Sequence, residues 1–406
     1  MSNTHRDSRV LATVVAFTLT CSSAWAQGTD GTSSAAAGPQ ESPGTLGISE
    51  IVVTATKREE SLQDVPIAVS VLTDEAIRDA GITRPSDFLL STPNVTFIED
   101  NAGEAYVNIR GQTSVRNSDP NVAVVIDGVV LSSTKPFNQD LFDIEQIEVL
   151  KGPQSALYGR NAAAGAIVIT TRRPRDILEG SVALEVGRFD LVRTTGSLTG
   201  PLTENLKFSV AASHRETDGP FKSVTTGDDV HRFRTTLGRT RLLYEPNERL
   251  SVDFRFGGHH SKGSSMGYNA QLVGLPLGNF PGTALDANNA DMPFVSNVDG
   301  RFEEDLVDGV LKVDYDLGFA TLTSITGASK FEQFFGGDSP PYIPDTGSPD
   351  ALTQGYTYDD KNFSQEIRLT SPGAQRLRWQ AGVYFLSFER EQFSELNVDT
   401  LGSLPP

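Results

Sequence analysis

Side chains able to carry out covalent or metal chemistry are few in this chain, and their spacing argues against an enzyme. The five histidines are scattered except for the neighbours His259 and His260. Neighbours on a strand point to opposite faces, so this pair cannot share a metal ion, and a solvated loop edge is its expected setting. The lone cysteine, Cys21, lies near the N-terminus and leaves no disulfide and no thiolate metal site. The glycines within residues 142–171 raise the idea of a phosphate cradle, but no Gly-Lys-Ser/Thr ending is present and no helix-length pattern follows Gly165. Acidic residues outnumber basic ones, 52 to 34, for a formal charge of −18, which opposes nucleic-acid binding. The Asp-rich stretches 286–299 and 345–360 read as loop-solubilising carboxylates, with calcium bridging between lipopolysaccharides as the alternative. No catalytic residue, cofactor or resident metal is expected.

What the chain must position instead is a set of strands and tight turns. Residues 142–171 form a strand, tight loop, strand unit: Ile147 and Val149 alternate with Glu148 as in a half-buried strand, and Gly152-Pro153 ends it. Leu157 and Tyr158 make a short apolar turn, Gly159 and Gly165 add backbone freedom, and residues 167–169 are a second β-branched run. Around this unit, residues 62–171 read as a small α+β domain. Thr73 caps a short helix, with Asp74 and Glu75 against its N-terminal dipole and Gly81 at its end. Pro85 opens a second helix and Pro93 stops it. Strands are expected at 95–98, 106–109, 122–126, 147–150 and 167–170.

Upstream, Arg6 and Arg9 precede an apolar run at 10–19, and Ala24-Trp25-Ala26 fits cleavage of a secretory signal before Gln27. Residues 27–47 lack bulky apolar groups and are expected to be a flexible leader. The extended segment Glu50, Ile51, Val52, Val53, Thr54, Ala55 follows at once. Its place between a leader and a folded domain suits docking as an added strand on a partner's edge; the alternative is that it is the first strand of the domain itself.

Downstream of Arg175 a period of two takes over. Strands are expected at 180–190, 191–200, 205–216, 232–245, 249–260, 304–316, 319–331, 361–371 and 376–389. Leu250, Val252, Phe254 and Phe256 mark the apolar face clearly, as do Leu311, Val313, Tyr315 and Leu317. Short turns fall at every second junction, and the long polar segments 217–231, 261–303 and 332–360 lie between them. Short turns at one rim and long loops at the other are the arrangement of a transmembrane barrel, not of a soluble sandwich. No segment reaches the roughly 20 apolar residues that a transmembrane helix needs.

Residues 142–171, together with Asn108-Ile109-Arg110-Gly111 and Val125-Ile126-Asp127-Gly128, resemble the plug signature of TonB-dependent outer-membrane receptors. The resemblance is dense over residues 50–175 and rests on pattern beyond them. It implies an exported protein of the Gram-negative outer membrane: a signal peptide at 1–26, a leader with a TonB box at 50–55 over 27–61, an α+β plug at 62–178, and the N-terminal part of an antiparallel transmembrane β-barrel at 179–406. The plug motif would comprise Gly111, Asp127, Gly128, Lys151, Gly152, Pro153, Tyr158, Gly159 and Gly165. Plugged transporters have about 22 strands, so about nine would make an incomplete barrel and the chain a C-terminally truncated one.

By the same resemblance, the box would engage TonB, the energy-coupling inner-membrane protein. Plug arginines pair with barrel glutamates in the family, which points to Arg110 and Arg160 with Glu366 as a latch; the alternative is that both arginines satisfy carbonyls of their own loops. The implied function is energised uptake of a scarce ligand by a monomer seated in outer-membrane lipid. A ferric siderophore or similar iron complex leads, ahead of a saccharide, cobalamin or aromatic compound, and a passive porin or adhesin is the other reading. Ala164-Gly165 and Val168 stand where many relatives have Gly-Gly and Asn, which implies a relaxed backbone approach at that point.

Overall fold

The computed structural model describes residues 15–17, 51–54, 56–100, 104–112, 114, 118–265, 294, 298–338, 351–373, 375 and 377–399. They build an α+β plug packed against an antiparallel wall. Nearly all of residues 1–50 lies outside the described residues. The exception there is β1 (Val15–Phe17), an apolar stretch that adds antiparallel to an open sheet edge at Val182, Ala183 and Leu184.

The plug runs β2 (Val52–Val53), β3 (Glu60–Ser61), β4 (Ala68–Thr73), α1 (Asp74–Asp79), α2 (Pro85–Ser91), β5 (Val95–Glu99), β6 (Ala105–Ile109), β7 (Val122–Ile126), β8 (Val129–Val130), β9 (Ile144–Lys151), α3 (Ser155–Tyr158) and β10 (Gly165–Thr171). Its main sheet has the order β4-β9-β10-β7-β8, with β10 parallel to β7. Ile147, Val149, Ile167 and Ile169 point to one face, under α1, α2 and the β5–β6 hairpin; Leu150, Ala166 and Val168 point to the other, under Val53 and Tyr158. Thr73 caps α1 by accepting from the Ala76 amide, and Pro85 stands at the first turn of α2. The short strands β4 and β8 were not expected, because β4 is a half-exposed edge strand and β8 is two residues long.

One departure concerns residue 148. A half-buried strand would leave Glu148 wet, yet it is 1% exposed, because the second face of the sheet is covered too.

The wall is β11 (Glu179–Val186), β12 (Val192–Thr203), β13 (Leu206–Thr217), β14 (Phe233–Asn247), β15 (Leu250–Gly263), β16 (Arg301–Asp316), β17 (Thr321–Asp338), β18 (Ala351–Thr370) and β19 (Gln380–Asp399), each paired to the next. Every expected strand is present, but β17, β18 and β19 run to 18, 20 and 20 residues. About 9–11 residues cross a bilayer, so the polar halves that read as loop are strand continuing above the apolar band, where backbone pairing needs no lipid-compatible side chain.

Along the wall, Val182, Leu184, Val210, Phe254, Phe256, Leu311, Ile367 and Phe385 are exposed on the outside. Arg193, Arg241, Asp253, Arg255, His259, Glu304, Gln333, Asp360 and Glu366 are buried on the inside. That inversion of a water-soluble protein's pattern is the mark of a lipid-facing barrel wall. No helix among the described residues is long and apolar enough to cross a membrane.

Candidate functional site

The β7–β8 hairpin is built by an Asp-Gly turn. Ile126 pairs with Val129, leaving Asp127 and Gly128 as a two-residue loop with φ of 48° and 87°, the geometry in which Asp-Gly is strongly favoured. The turn is held from both sides. Thr171 donates to the Asp127 carboxylate from its backbone N–H at 2.9 Å and its hydroxyl at 2.8 Å. From the wall, Arg255 Nε lies 2.8 Å from Asp127 Oδ2, and Arg241 Nη1 lies 3.7 Å from Oδ1. Arg241 also donates to the Thr171 carbonyl at 2.8 Å. Arg239 donates to the Phe142 carbonyl at 3.0 Å and lies over the Phe142 ring.

Burial alone would raise the Asp127 carboxyl, but the guanidiniums of Arg255, Arg241 and Arg239 outweigh it and hold the group below the usual carboxylate range. At Asp143 the balance is reversed: burial prevails over Arg239 and Arg172, and the carboxyl is raised. A further wall pairing joins Arg193 and Arg215 to plug Asp140 at 3.1 and 3.3 Å.

The second point of attachment is the N-terminal hairpin. β2 pairs with β3, Val53 is fully buried, and Gln146 donates to the Val52 carbonyl at 3.0 Å. Thr54 donates to Glu148 Oε1 from its N–H at 2.9 Å and its hydroxyl at 2.8 Å. The turn beyond reaches the wall: Lys57 pairs with Glu366 at 2.8 Å, Arg58 donates to the Ser371 carbonyl at 3.1 Å, and Arg378 donates to Glu60 at 2.9 Å. Val52 and Val53 are therefore strand, in a hairpin that lies against the plug. Glu50 and Ala55 lie outside the described residues.

The expected latch is not the one that forms. Glu366 meets Lys57 and its own neighbour Arg368, not Arg110 or Arg160. Arg160 pairs with exposed plug Asp119 at 2.9 Å, and the Arg110 guanidinium lies beside Gly152. The reason is register: the inward position of β18 that carries Glu366 faces the residue 57 turn. Burial, then Arg110, lowers Lys151.

The remaining motif residues are structural. Gly111 and Gly152 have positive φ, Pro153 follows the strand end, and Gly159 closes α3. Tyr158 is a buried ring whose phenol is raised far above its usual value by burial and then Glu148. At Gly165 the approach is not relaxed: a Cβ there would stand 2.3 Å from the Leu150 carbonyl oxygen.

His259 and His260 do point to opposite faces, but His259 is not a solvated edge. It is buried between Gln139 of the plug at 3.1 Å and Glu304 of the wall at 2.7 Å, whereas His260 faces out to Asp305. Among the described residues no three His, Cys, Asp or Glu side chains gather as a metal site. The Asp-rich stretch 286–299 falls almost wholly outside the described residues, as does the first part of 345–360.

The wall arginines were missed, although a signal existed. Arg239 and Arg241 stand two apart on β14, and Asp253 and Arg255 two apart on β15, on the face opposite Leu242 and Phe254. Charges at inward positions of a lipid-facing strand must be paired in the lumen.

Comparison with known proteins bears on the same elements. Residues 61–166 match the family model of the TonB-dependent Receptor Plug Domain. That stretch is a TonB-dependent receptor plug domain. The chain is 30% identical over 208 residues to the pesticin receptor of Yersinia pestis, a match covering 50% of this chain and 30% of that one. It is 31% identical over 222 residues to the ferric enterobactin receptor PirA of Pseudomonas aeruginosa, covering 49% and 29% respectively. In fold it is similar to the ferric yersiniabactin uptake receptor FyuA from Yersinia pestis, with a TM-score of 0.71 and 20% identity over 82% of this chain and 50% of that one. The chain thus spans about a third of the curated relatives and half of the solved receptor. Receptors of this family sit in the outer membrane of Gram-negative bacteria, and the apolar outer band fits that setting.

Proposed function

We propose that this chain supplies the plug and a run of wall strands for energised uptake of an iron chelate across the outer membrane. The observation that carries the reading is a folded plug ion-paired to a lipid-facing wall, with its N-terminal strand in a two-residue ladder at the edge of the plug. Such a plug blocks passive flow, and its N-terminal end is where a pull would act first. The segment 50–55 is the candidate handle for TonB, which would add its own edge to it by main-chain hydrogen bonds of roughly 1 kcal/mol each. An iron complex is favoured over a saccharide, cobalamin or aromatic compound because the similar receptors above include ferric enterobactin and ferric yersiniabactin receptors. A receptor role leaves no place for an active site.

The test is Val52→Pro in the receptor carrying this chain, assayed against a panel of ferric catecholates and hydroxamates. Proline removes a main-chain donor from the handle. Uptake should stop while cell-surface binding of the same chelate persists. Uptake that survives would favour a passive pore, and lost binding would mean the segment serves only the plug fold.

A further inference from the structure

Each of two wall arginines holds carboxylates from both bodies. Arg241 meets Asp253 of the wall through parallel bonds of 2.8 and 2.7 Å while also facing Asp127 of the plug. Arg255 meets Asp127 at 2.8 Å and is hydrogen-bonded to Asp308 of the wall. Arg241 and Arg255 are direct cross-strand partners, an arrangement that repels unless carboxylates lie between them. All of these groups except Asp308 have side chains less than a tenth exposed. Beside them a cavity of about 60 Å³ is lined by Ile126, Val129, Phe142, Arg255 and Asp308. That exceeds the roughly 10–15 Å³ needed to admit a water.

We propose that Asp253 and Asp308 are positioning residues that keep the wall arginines paired when the plug hairpin withdraws, so that the Asp127 contact can open and re-form during uptake. This inference rests on the plug being the moving body of the proposed transport cycle. If the wall had no carboxylates of its own, withdrawal of Asp127 would strand two buried cations, the costliest way to break a buried ion pair. With them, only the shared anion leaves, and the adjacent cavity admits water to the parted faces. The hairpin then acts as a detachable contact on a wall where the two arginines that touch Asp127 each keep a carboxylate of their own.

The roles have opposite signs, and that makes them separable. Asp127→Asn removes the plug's charge, whereas Asp253→Asn or Asp308→Asn leaves an arginine with more pull on Asp127. The readouts are hydrogen exchange of the amides in residues 122–130 and susceptibility of cells to vancomycin, which a sealed receptor excludes. In the receptor assembled in the outer membrane, Asp127→Asn should speed hairpin exchange about 10- to 100-fold and sensitise the cells. Asp253→Asn and Asp308→Asn should slow it about threefold or more and leave resistance intact.

Faster exchange in either wall variant would overturn the proposal, because these carboxylates would then merely brace the arginines for the plug. Loss of assembled receptor in both wall variants would overturn it as well. Neither readout needs TonB or a ligand, so failure here leaves the transport reading standing. Uptake that persists without TonB would defeat that reading and leave this one untouched.

Discussion

At Asp127 the plug is gripped by arginines whose side chains are 8% and 5% exposed, whereas at the N-terminal hairpin Lys57 and Glu366 are 17% and 10% exposed. The backbone differs in the same direction. β7 is hydrogen-bonded on both sides within a five-stranded sheet, while β2 is held to β3 by two residue pairs. Low dielectric strengthens the first contact, and partial solvation weakens the second. Segments with few buried contacts open at lower free energy than the sheet they lean on. The two attachments therefore differ in strength: the contact at Asp127 is the more deeply buried, and the N-terminal hairpin is the one expected to open first.

The largest effect expected is from Arg241→Ala. It leaves Asp127 and Asp253 buried with a missing partner, and breaking a buried pair from one side costs about 3–5 kcal/mol. The urea midpoint for release of the plug should fall accordingly; an unchanged midpoint would remove the Asp127 contact from the comparison. Next is Thr54→Val, which takes the hydroxyl bond from buried Glu148 and should cost about 1–3 kcal/mol. Protease should then cut near residues 51–61 sooner, with exchange in β7 and β10 unchanged. If β7 loosened too, the two attachments would be one cooperative unit.

Glu366→Gln is smaller, at about 1–2 kcal/mol, because the shape is kept and the amide oxygen can still accept from Lys57. Its effect should stay within the N-terminal hairpin, seen as earlier cleavage there at constant hairpin exchange at 122–130.

The smallest effect is that of pH. Asp127 has a depressed folded pKa, so its contribution is fully present above the unfolded value of about 3.9 and is lost only as pH falls through the lower folded value. Asp143 has a raised one, so its protonated form favours folding as pH falls through that value. Between pH 7 and 5 the Asp127 contact should not weaken, and exchange corrected for its intrinsic pH dependence should be equal or slower. Asp143→Asn should abolish any slowing. A contact that loosened at pH 5 would place its control in some other titrating group.

Much of the architecture could be read from local pattern. Alternation at Leu250, Val252, Phe254 and Phe256 set the lipid face of β15, and Thr73, Gly81, Pro85 and Pro93 bracketed the two helices. Strand ends above the membrane were not readable, because there pairing continues without an apolar pattern. The attachments were harder still: Lys57 and Glu366 are 309 residues apart, and nothing in their neighbours names the partner. The family resemblance pointed Glu366 toward Arg110 and Arg160, and the register of β18 delivered it to Lys57.

Residue identity by itself determined the period of the wall, the Asp-Gly turn and the helix caps, since each depends on sterics or hydrogen bonds within a few residues. Only the tertiary structure decided which charges meet: that Asp127, one residue of a turn, sits among Arg239, Arg241 and Arg255, that Glu148 turns into a covered face to receive Thr54, and that His259 is buried while His260 is wet. An ion pair is chosen by proximity in a low-dielectric space. That space exists only once the plug is inside the wall.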